Sequence, residues 1–350
     1  MGKKNLTLTT DSSEIDFYKQ VADLLVSARQ YAKQQIDNTI VITYYKIGQM
    51  IVEREQQGQK RAQYGVNLIK GLSEYLTNEY GKGFSVVNLK NIRKFYLEYT
   101  PSKGQTLSAF LCHGWSHYQI LMRIENKAAR RFYEIETINQ QWTVRQLQRQ
   151  VGSSLYERLA ISRNKDKVMA LANKGQTVEN PRDIFKTPYV LEFTGLEERS
   201  EYSETELEQA LIDNLQKFLL ELGKGFLFEA RQKRFSFDEE SFYVDLVFYN
   251  RLLQCYVLID LKVSKLKHQD LGQMLMYVNY FDRYVKQDFE KPTVGILMCS
   301  LKNDNIVELT LPEDSNIYAS AYSLYLPDKV LLQHKLAEWV DRFEKEHEGA

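Results

Sequence analysis

Two strand-like runs, FYVDLVFYN at 242–250 and CYVLIDLK at 255–262, constrain this chain more than any other feature. Both are rich in β-branched and aromatic residues, and the tight corner at Asn250-Arg251 makes them hairpin partners. Alternation places Asp245 on one face with Val247 and Tyr249, and Val244, Leu246 and Phe248 on the other. In the second run Asp260 and Lys262 are two residues apart and point the same way. Pairing of the two runs can therefore bring Asp245 beside Asp260.

Around this hairpin the pattern predicts a helix over 204–222, strands near 226–235, 241–249 and 254–262, a helix over 268–286 and a strand over 293–300. A closing helix is predicted from Pro327 to about 346. This order implies a mixed α/β sheet. The first half reads differently, as helix after helix, with apolar spacing in Phe17, Val21, Leu24, Leu25 and Ala28 and again in Val66, Ile69, Leu72, Tyr75 and Leu76. Ser116 with Gln119 and Thr143 with Gln146 fit capping boxes, and Ser85 can cap a helix that displays Asn88, Lys90, Asn91, Arg93 and Lys94. The expected division is an all-helical domain over 1–150, a connecting helix and linker over 151–182, and an α/β domain over 183–350.

A hydrophobic fraction of 43% in 350 residues suffices for more than one core. No unbroken apolar run is long enough to span a bilayer, and the N-terminus lacks a signal-type apolar segment, so a soluble cytoplasmic protein is expected. The three scattered cysteines argue against a disulfide framework or a cysteine-built zinc site. His113 and His117 beside Cys112 lack a further ligand set, and packing accounts for them better. The zero net charge hides an asymmetry: residues 1–150 hold 21 Lys and Arg against 13 Asp and Glu, with 11 against 4 in 81–150. A basic surface of this kind suits phosphate, and a solvated helical face accounts for it equally well.

Two converging carboxylates repel each other unless a cation lies between them, and hard oxygen ligands select Mg²⁺ or Mn²⁺. A lysine beside such a metal can orient or help deprotonate a water for attack on a phosphodiester. Glu208 adds a third acid, at the centre of the apolar stripe of Leu211, Ile212, Leu215, Leu219 and Leu222, whereas Asp213 and Glu221 lie opposite. Two capping frames compete for it: Thr205 with Glu208, and Ser203 with Glu206. Glu204, one turn earlier on the stripe, is its rival. Gln273 and Tyr277 are i and i+4 on the following helix, and Tyr280 and Tyr284 continue a polar, aromatic ridge. Leu271, Met274, Leu275 and Val278 form the opposite, core-facing stripe. Lys265, Lys267 and His268 lie in the loop before it. No Walker loop, GxSxG elbow or helix-opening GxGxxG is present.

Asp245, the Asp260-Leu-Lys262 triplet and Gln273-x-x-x-Tyr277 resemble the PD-(D/E)xK nuclease superfamily, the last of them its RecB-like branch. LEQALIDNLQKFLLELGKGF, FYVDLVFYNRLLQCYVLIDLK and HQDLGQMLMYVNYFD resemble the nuclease part of the YhcG-type bacterial family. WSHYQIL, RRFYEIE and WTVRQLQRQ resemble that family's helical N-terminal domain. The resemblance implies a restriction-endonuclease-like core in which Glu208, Asp245 and Asp260 bind Mg²⁺, Lys262 assists the attacking water, and Gln273 and Tyr277 support the site. It further implies a DNA-binding helical domain, and the candidate phosphate contacts are Lys90, Arg93, Lys94, Arg130, Arg131, Lys265 and Lys267. Val244 stands where the superfamily name has proline. The expected activity is metal-dependent cleavage of DNA, with RNA left open as a substrate. The alternative is a nucleic-acid-binding protein whose core is silent or activated by a partner. Many nucleases of this architecture work as dimers, so a homo-oligomer is expected, without any sequence mark of its interface.

Overall fold

The computed structural model describes residues 12–57, 62–101, 105–161, 165–197, 202–237, 239–312 and 315–334. They fall into two compact units, Met1–Glu125 and Asn126–Ala350.

The first unit is helical, with α1 (Ser12–Gln57), α2 (Ala62–Tyr80), α3 (Val86–Glu98), α4 (Leu107–Phe110) and α5 (Trp115–Leu121). Ser85 caps α3 as expected, its hydroxyl accepting the Asn88 N–H at 3.3 Å. The start of α5 departs from expectation: it opens at Trp115 behind Gly114, and Ser116 lies inside the helix. Gln119, the predicted box partner, instead donates its amide to Asn88 Oδ1 at 3.4 Å. A small core of Ile51, Ile69, Leu89 and Ile92 joins α1, α2 and α3. At Gly48 a Cβ would meet the Ile92 carbonyl at 2.5 Å, so the absence of a side chain lets α1 and α3 touch backbone to backbone. Upstream the situation reverses. Every described side chain from Glu14 to Ile36 is exposed, so the apolar face that predicts a buried helix covers nothing among the described residues of this unit.

In the second unit α6 (Lys127–Asn139), α7 (Val144–Gly152), α8 (Leu155–Ile161) and α9 (Lys165–Lys174) precede β1 (Tyr189–Val190). Then come α10 (Glu204–Asp213), α11 (Leu215–Leu222), β2 (Phe226–Phe237), β3 (Glu240–Asn250), β4 (Cys255–Lys265), α12 (His268–Tyr280), β5 (Val294–Leu301), α13 (Asp304–Thr310) and β6 (Ile317–Ser323). The expected capping box of α7 is present: Thr143 accepts the Gln146 N–H, and Gln146 accepts the Thr143 N–H. The single helix expected over 204–222 is broken at Asn214, whose side-chain amide donates to the Ala210 carbonyl at 3.1 Å and competes with helical bonding. The final helix opens at Lys329 rather than Pro327, behind Asp328, which accepts the Val330 N–H at 2.8 Å. The rest of that predicted helix, from 335, lies outside the described residues.

The strands form a 6-stranded sheet in the order β1-β6-β5-β4-β3-β2. The hairpins β2–β3 and β3–β4 are antiparallel, while β4–β5 and β5–β6 are parallel, with α12 as the crossover between β4 and β5. One core packs Leu207, Leu211, Phe218 and Leu222 of α10 and α11 on Leu246, Phe248, Val257 and Ile259. The other packs Leu271, Met274 and Tyr277 of α12 on Val247, Leu258 and Leu297. Covered on both faces, the central strands read as continuous apolar runs. Val244 departs from the expected alternation and joins the α12 core with Phe235. The pleat turns over at this level, where Gln232 of β2 carries a left-handed backbone with φ 46°.

The stretch expected as a connecting helix and linker contains α8 and α9, and the expected boundary at 150 falls inside α7. A buried ionic cluster explains why these helices belong to the second unit. Arg149 of α7 and Arg158 of α8 place their Nη1 atoms 3.2 and 2.6 Å from the Glu221 carboxylate at the end of α11. The Lys186 ammonium donates to the Glu221 carbonyl, and Glu221 Oε1 accepts the Val190 N–H at 3.0 Å. Glu221, expected on the solvent side, is wholly buried. Burial pushes its pKa up, but Arg158, Lys186 and Arg149 outweigh that and hold it at about 2.

Candidate active site

The last paired residues of β3 and β4 are Leu246 and Ile259, so Asp245 and Asp260 face each other at the next step, where the strands part. The Leu261 N–H fills the gap by donating to Asp245 Oδ2 at 2.8 Å. Asp260 is 2% exposed, and its Oδ2 receives no hydrogen bond. Lys262 Nζ lies 2.8 Å from that oxygen as an ion pair, off the hydrogen-bonding direction. Burial, then the Asp245 charge, push Asp260 up to about 7 against the pull of Lys262. For Lys262, burial works against the charge, but Asp260, Glu204 and Asp245 outweigh it and hold the ammonium above its ordinary range. Glu204 Oε2 lies 3.7 Å from Lys262 Nζ.

Ser203 and Glu206 form the capping box of α10, which settles the choice between the two frames and leaves Glu208 free to turn inward. Glu208 is 3% exposed, and its carboxylate is engaged by side chains of β2. Arg231 Nε and Gln232 Nε2 both donate to its carboxylate, and Gln232 Nε2 also lies 3.0 Å from Asp245 Oδ1. Glu208 thus reaches Asp245 through an amide. Among the described residues no three His, Cys, Asp or Glu side chains converge to hold one ion. Arg231 and Gln232 carry no sequence signal for this role, because a left-handed Gln within a strand leaves no compositional trace.

Tyr277 and Gln273 join the site from α12. Tyr277, expected on a polar, aromatic ridge opposite the core-facing stripe, is 1% exposed and packs its ring edge on Phe235 at 5.5 Å. Its hydroxyl accepts from the Gln273 amide. Burial raises the tyrosine pKa against that hydrogen bond, with the Asp260 and Asp245 charges adding to the rise, so the phenol keeps its proton. Tyr280 stacks on Phe235 at 4.0 Å, and Tyr284 remains exposed.

The expected phosphate contacts divide. Lys90, Arg131, Lys265 and Lys267 are exposed. Arg93 Nε instead pairs with Glu55 Oε2 at 2.6 Å, and Lys94 Nζ donates to the Met122 carbonyl at 2.7 Å. Arg130 is buried, so its guanidinium cannot serve a surface contact in this arrangement.

The two aspartates fit a hard divalent cation. Two carboxylates facing each other, one of them buried and pushed up by burial and by the other's charge, are the donor chemistry that Mg²⁺ takes when one or two carboxylates suffice and solvent and phosphate complete the shell. Asp245 and Asp260 would hold it.

Residues 182–337 match the model of the YhcG PDDEXK nuclease domain, and residues 20–158 match the DUF1016 N-terminal domain. The chain is 38% identical over 352 residues to the YhcG protein of Escherichia coli (strain K12), covering 91% of this chain and 93% of that one. Among solved structures, a repair endonuclease from Pyrococcus abyssi is similar with a TM-score of 0.25 and 20% identity over 37% of this chain and 49% of that one. A complex of EndoMS with dsDNA is similar with a TM-score of 0.26 and 17% identity over 38% and 51%. This chain spans about half the length of those two structures. By its identity with YhcG along nearly the whole of both chains, this chain belongs to the YhcG family, a DUF1016 N-terminal domain followed by a PDDEXK nuclease domain.

Proposed function

We propose that the chain hydrolyses phosphodiester bonds in DNA with a divalent metal, Mg²⁺ or Mn²⁺, held by Asp245 and Asp260. The observation that carries this reading is the meeting of two carboxylates, one of them buried, beside the Lys262 ammonium. The metal supplies Lewis acidity at the scissile phosphate. Lys262, held protonated, offers a fixed positive charge to the negative charge that develops on the phosphate oxygens. Tyr277 accepts from Gln273 and keeps its own proton, which leaves the hydroxyl able to donate to a phosphate oxygen. Glu208 acts at one remove as a positioning residue, orienting Asp245 through Gln232. Exposed Lys265, the last residue of β4, and Lys267 just beyond it suit backbone phosphates, as do Lys90 and Arg131.

The test is a substrate panel of supercoiled, linear duplex and single-stranded DNA and RNA, each with Mg²⁺, Mn²⁺ or EDTA. The reading expects metal-dependent cleavage of DNA. Cleavage of RNA alone would overturn the choice of substrate, and salt-sensitive DNA binding without cleavage under any metal would favour the silent-core alternative.

A further inference from the structure

We propose, resting on the nuclease reading of the neighbouring site, that the cavity between the end of β2 and α12 receives an unpaired nucleobase, so that the site acts on DNA with a single-stranded segment beside the scissile phosphate. The cavity holds about 370 Å³, within the roughly 300–1,000 Å³ of pockets that take small molecules. Phe235, Phe237, Tyr280 and Tyr284 give it aromatic walls. Phe235 and Tyr280 stack at 4.0 Å with 20° between their planes, and Tyr284 tilts against Tyr280 at 5.2 Å. Phe237 and Tyr284 are 56% and 65% exposed, so their rings are open to a further planar group.

A glycine keeps this space open. Gly272 sits inside α12, where glycine is less favourable than alanine, yet a Cβ there would meet no heavy atom within 4 Å. Packing among the described residues therefore does not call for glycine, and the missing side chain widens the cavity it lines. At its other end α12 runs into a π turn, Phe281–Val285, an irregularity often found at functional sites, and this turn carries Arg283 and Tyr284.

Chemistry and position together select the occupant. Arg283 is the only charged side chain among the described residues that line the cavity, and its positive charge complements a phosphate. Asn279 offers an amide, donor and acceptor, to the edge of a base. The cavity is continuous with the candidate active site, because Phe235 packs on Tyr277 as well as on Tyr280. Along the axis of α12, Tyr280 lies about 4.5 Å beyond Tyr277, close to the ~3.4 Å base step of one DNA strand. A nucleotide next to the scissile phosphate therefore reaches the rings. In a duplex both faces of a base are already stacked, so only an unpaired base has a face to offer them.

The experiment is equilibrium binding of the full-length protein in EDTA, read by fluorescence anisotropy, to a labelled blunt DNA duplex and to the same duplex with a single-stranded tail. The wild type is expected to bind the tailed DNA more tightly. Phe237→Ala with Tyr284→Ala should weaken the tailed complex by roughly 10–100-fold, the range for lost base stacking, and leave the blunt complex unchanged. Gly272→Leu should do the same by filling the cavity while every ring stays in place. Phe289→Ala removes a ring that is 73% exposed and outside the cavity, and should change neither complex. Both rings removed in the double variant are largely exposed, so its thermal unfolding should match that of wild type. Equal wild-type affinity for the two DNAs, or binding to neither, overturns the proposal, as does tailed binding that survives both cavity variants. Unchanged DNA affinities with an altered molar mass by light scattering would assign the cavity to a protein contact and overturn it as well. Binding in EDTA is read apart from cleavage: ring-dependent tailed binding without cleavage under any metal would sink the nuclease reading and leave the base site standing.

Discussion

Gln232 bridges two carboxylates that belong to different elements, its Nε2 donating to Glu208 on α10 and lying 3.0 Å from Asp245 Oδ1 on β3. The strand accepts a left-handed backbone at this residue, with φ 46°, at a cost of about 1 kcal/mol. Gln232→Leu should weaken Mn²⁺ binding and cleavage by roughly 10–100-fold, the range for residues that orient a metal ligand from behind. Calorimetric titration with Mn²⁺ checks it. Unchanged affinity and rate would mean that Asp245 needs no such support.

Lys262 separates charge stabilisation from metal capture. Lys262→Met should lower the cleavage rate by about 10²–10³-fold, as loss of a preorganised charge does, while Mn²⁺ still binds. Single-turnover kinetics beside a Mn²⁺ titration make the comparison. Loss of metal binding would show that the ammonium is needed to hold the site together.

The Arg158–Glu221 pair makes a prediction about stability. Glu221 is wholly buried, so Arg158→Met leaves a buried carboxylate short of its closest partner and should destabilise the second unit by about 3–5 kcal/mol. Chemical denaturation followed by tryptophan fluorescence and circular dichroism measures it.

Acid should act through the same carboxylate. The folded-state pKa of Glu221 lies at about 2, below its ordinary 4.5, so its contribution is complete above the ordinary value and disappears as pH falls through the folded one. The shift corresponds to about 3 kcal/mol. Lys186 has the opposite sense: burial lowers it to about 8, so stability rises between about 8 and its ordinary 10.5, where the unfolded chain binds more protons. Denaturation across pH should show both slopes, with Glu221→Gln flattening the acid limb. An unaltered acid limb in that variant would contradict the assignment.

The strands of the candidate site were legible because a period of two fixes side-chain direction wherever the pleat is regular, which fails at Val244. Asp245, Asp260 and Lys262 share a face by spacing alone, and a single corner fixes the strand pairing. Glu208 was legible as an inward carboxylate but its hydrogen-bond partners were not, since Arg231 and Gln232 lie on a strand whose left-handed residue follows no rule of composition. Glu221 reads as solvent-facing on its own helix, and only Arg149 and Arg158, far away in sequence, make its burial tolerable. The strand β6, IYASAYS, escaped because small and polar residues interrupt its alternation. On α1 the periodicity predicts a buried face, but every described side chain from Glu14 to Ile36 is exposed.

On the proposed reading, Asp245 and Asp260 hold the divalent metal on which DNA cleavage depends. The most direct test incubates supercoiled DNA with wild type and with Asp260→Ala purified in parallel, in Mg²⁺ and in EDTA. Nicked or linear product from wild type in Mg²⁺ alone, with none from Asp260→Ala, is the predicted result. Equal cleavage by both proteins, or cleavage by wild type that persists in EDTA, contradicts it.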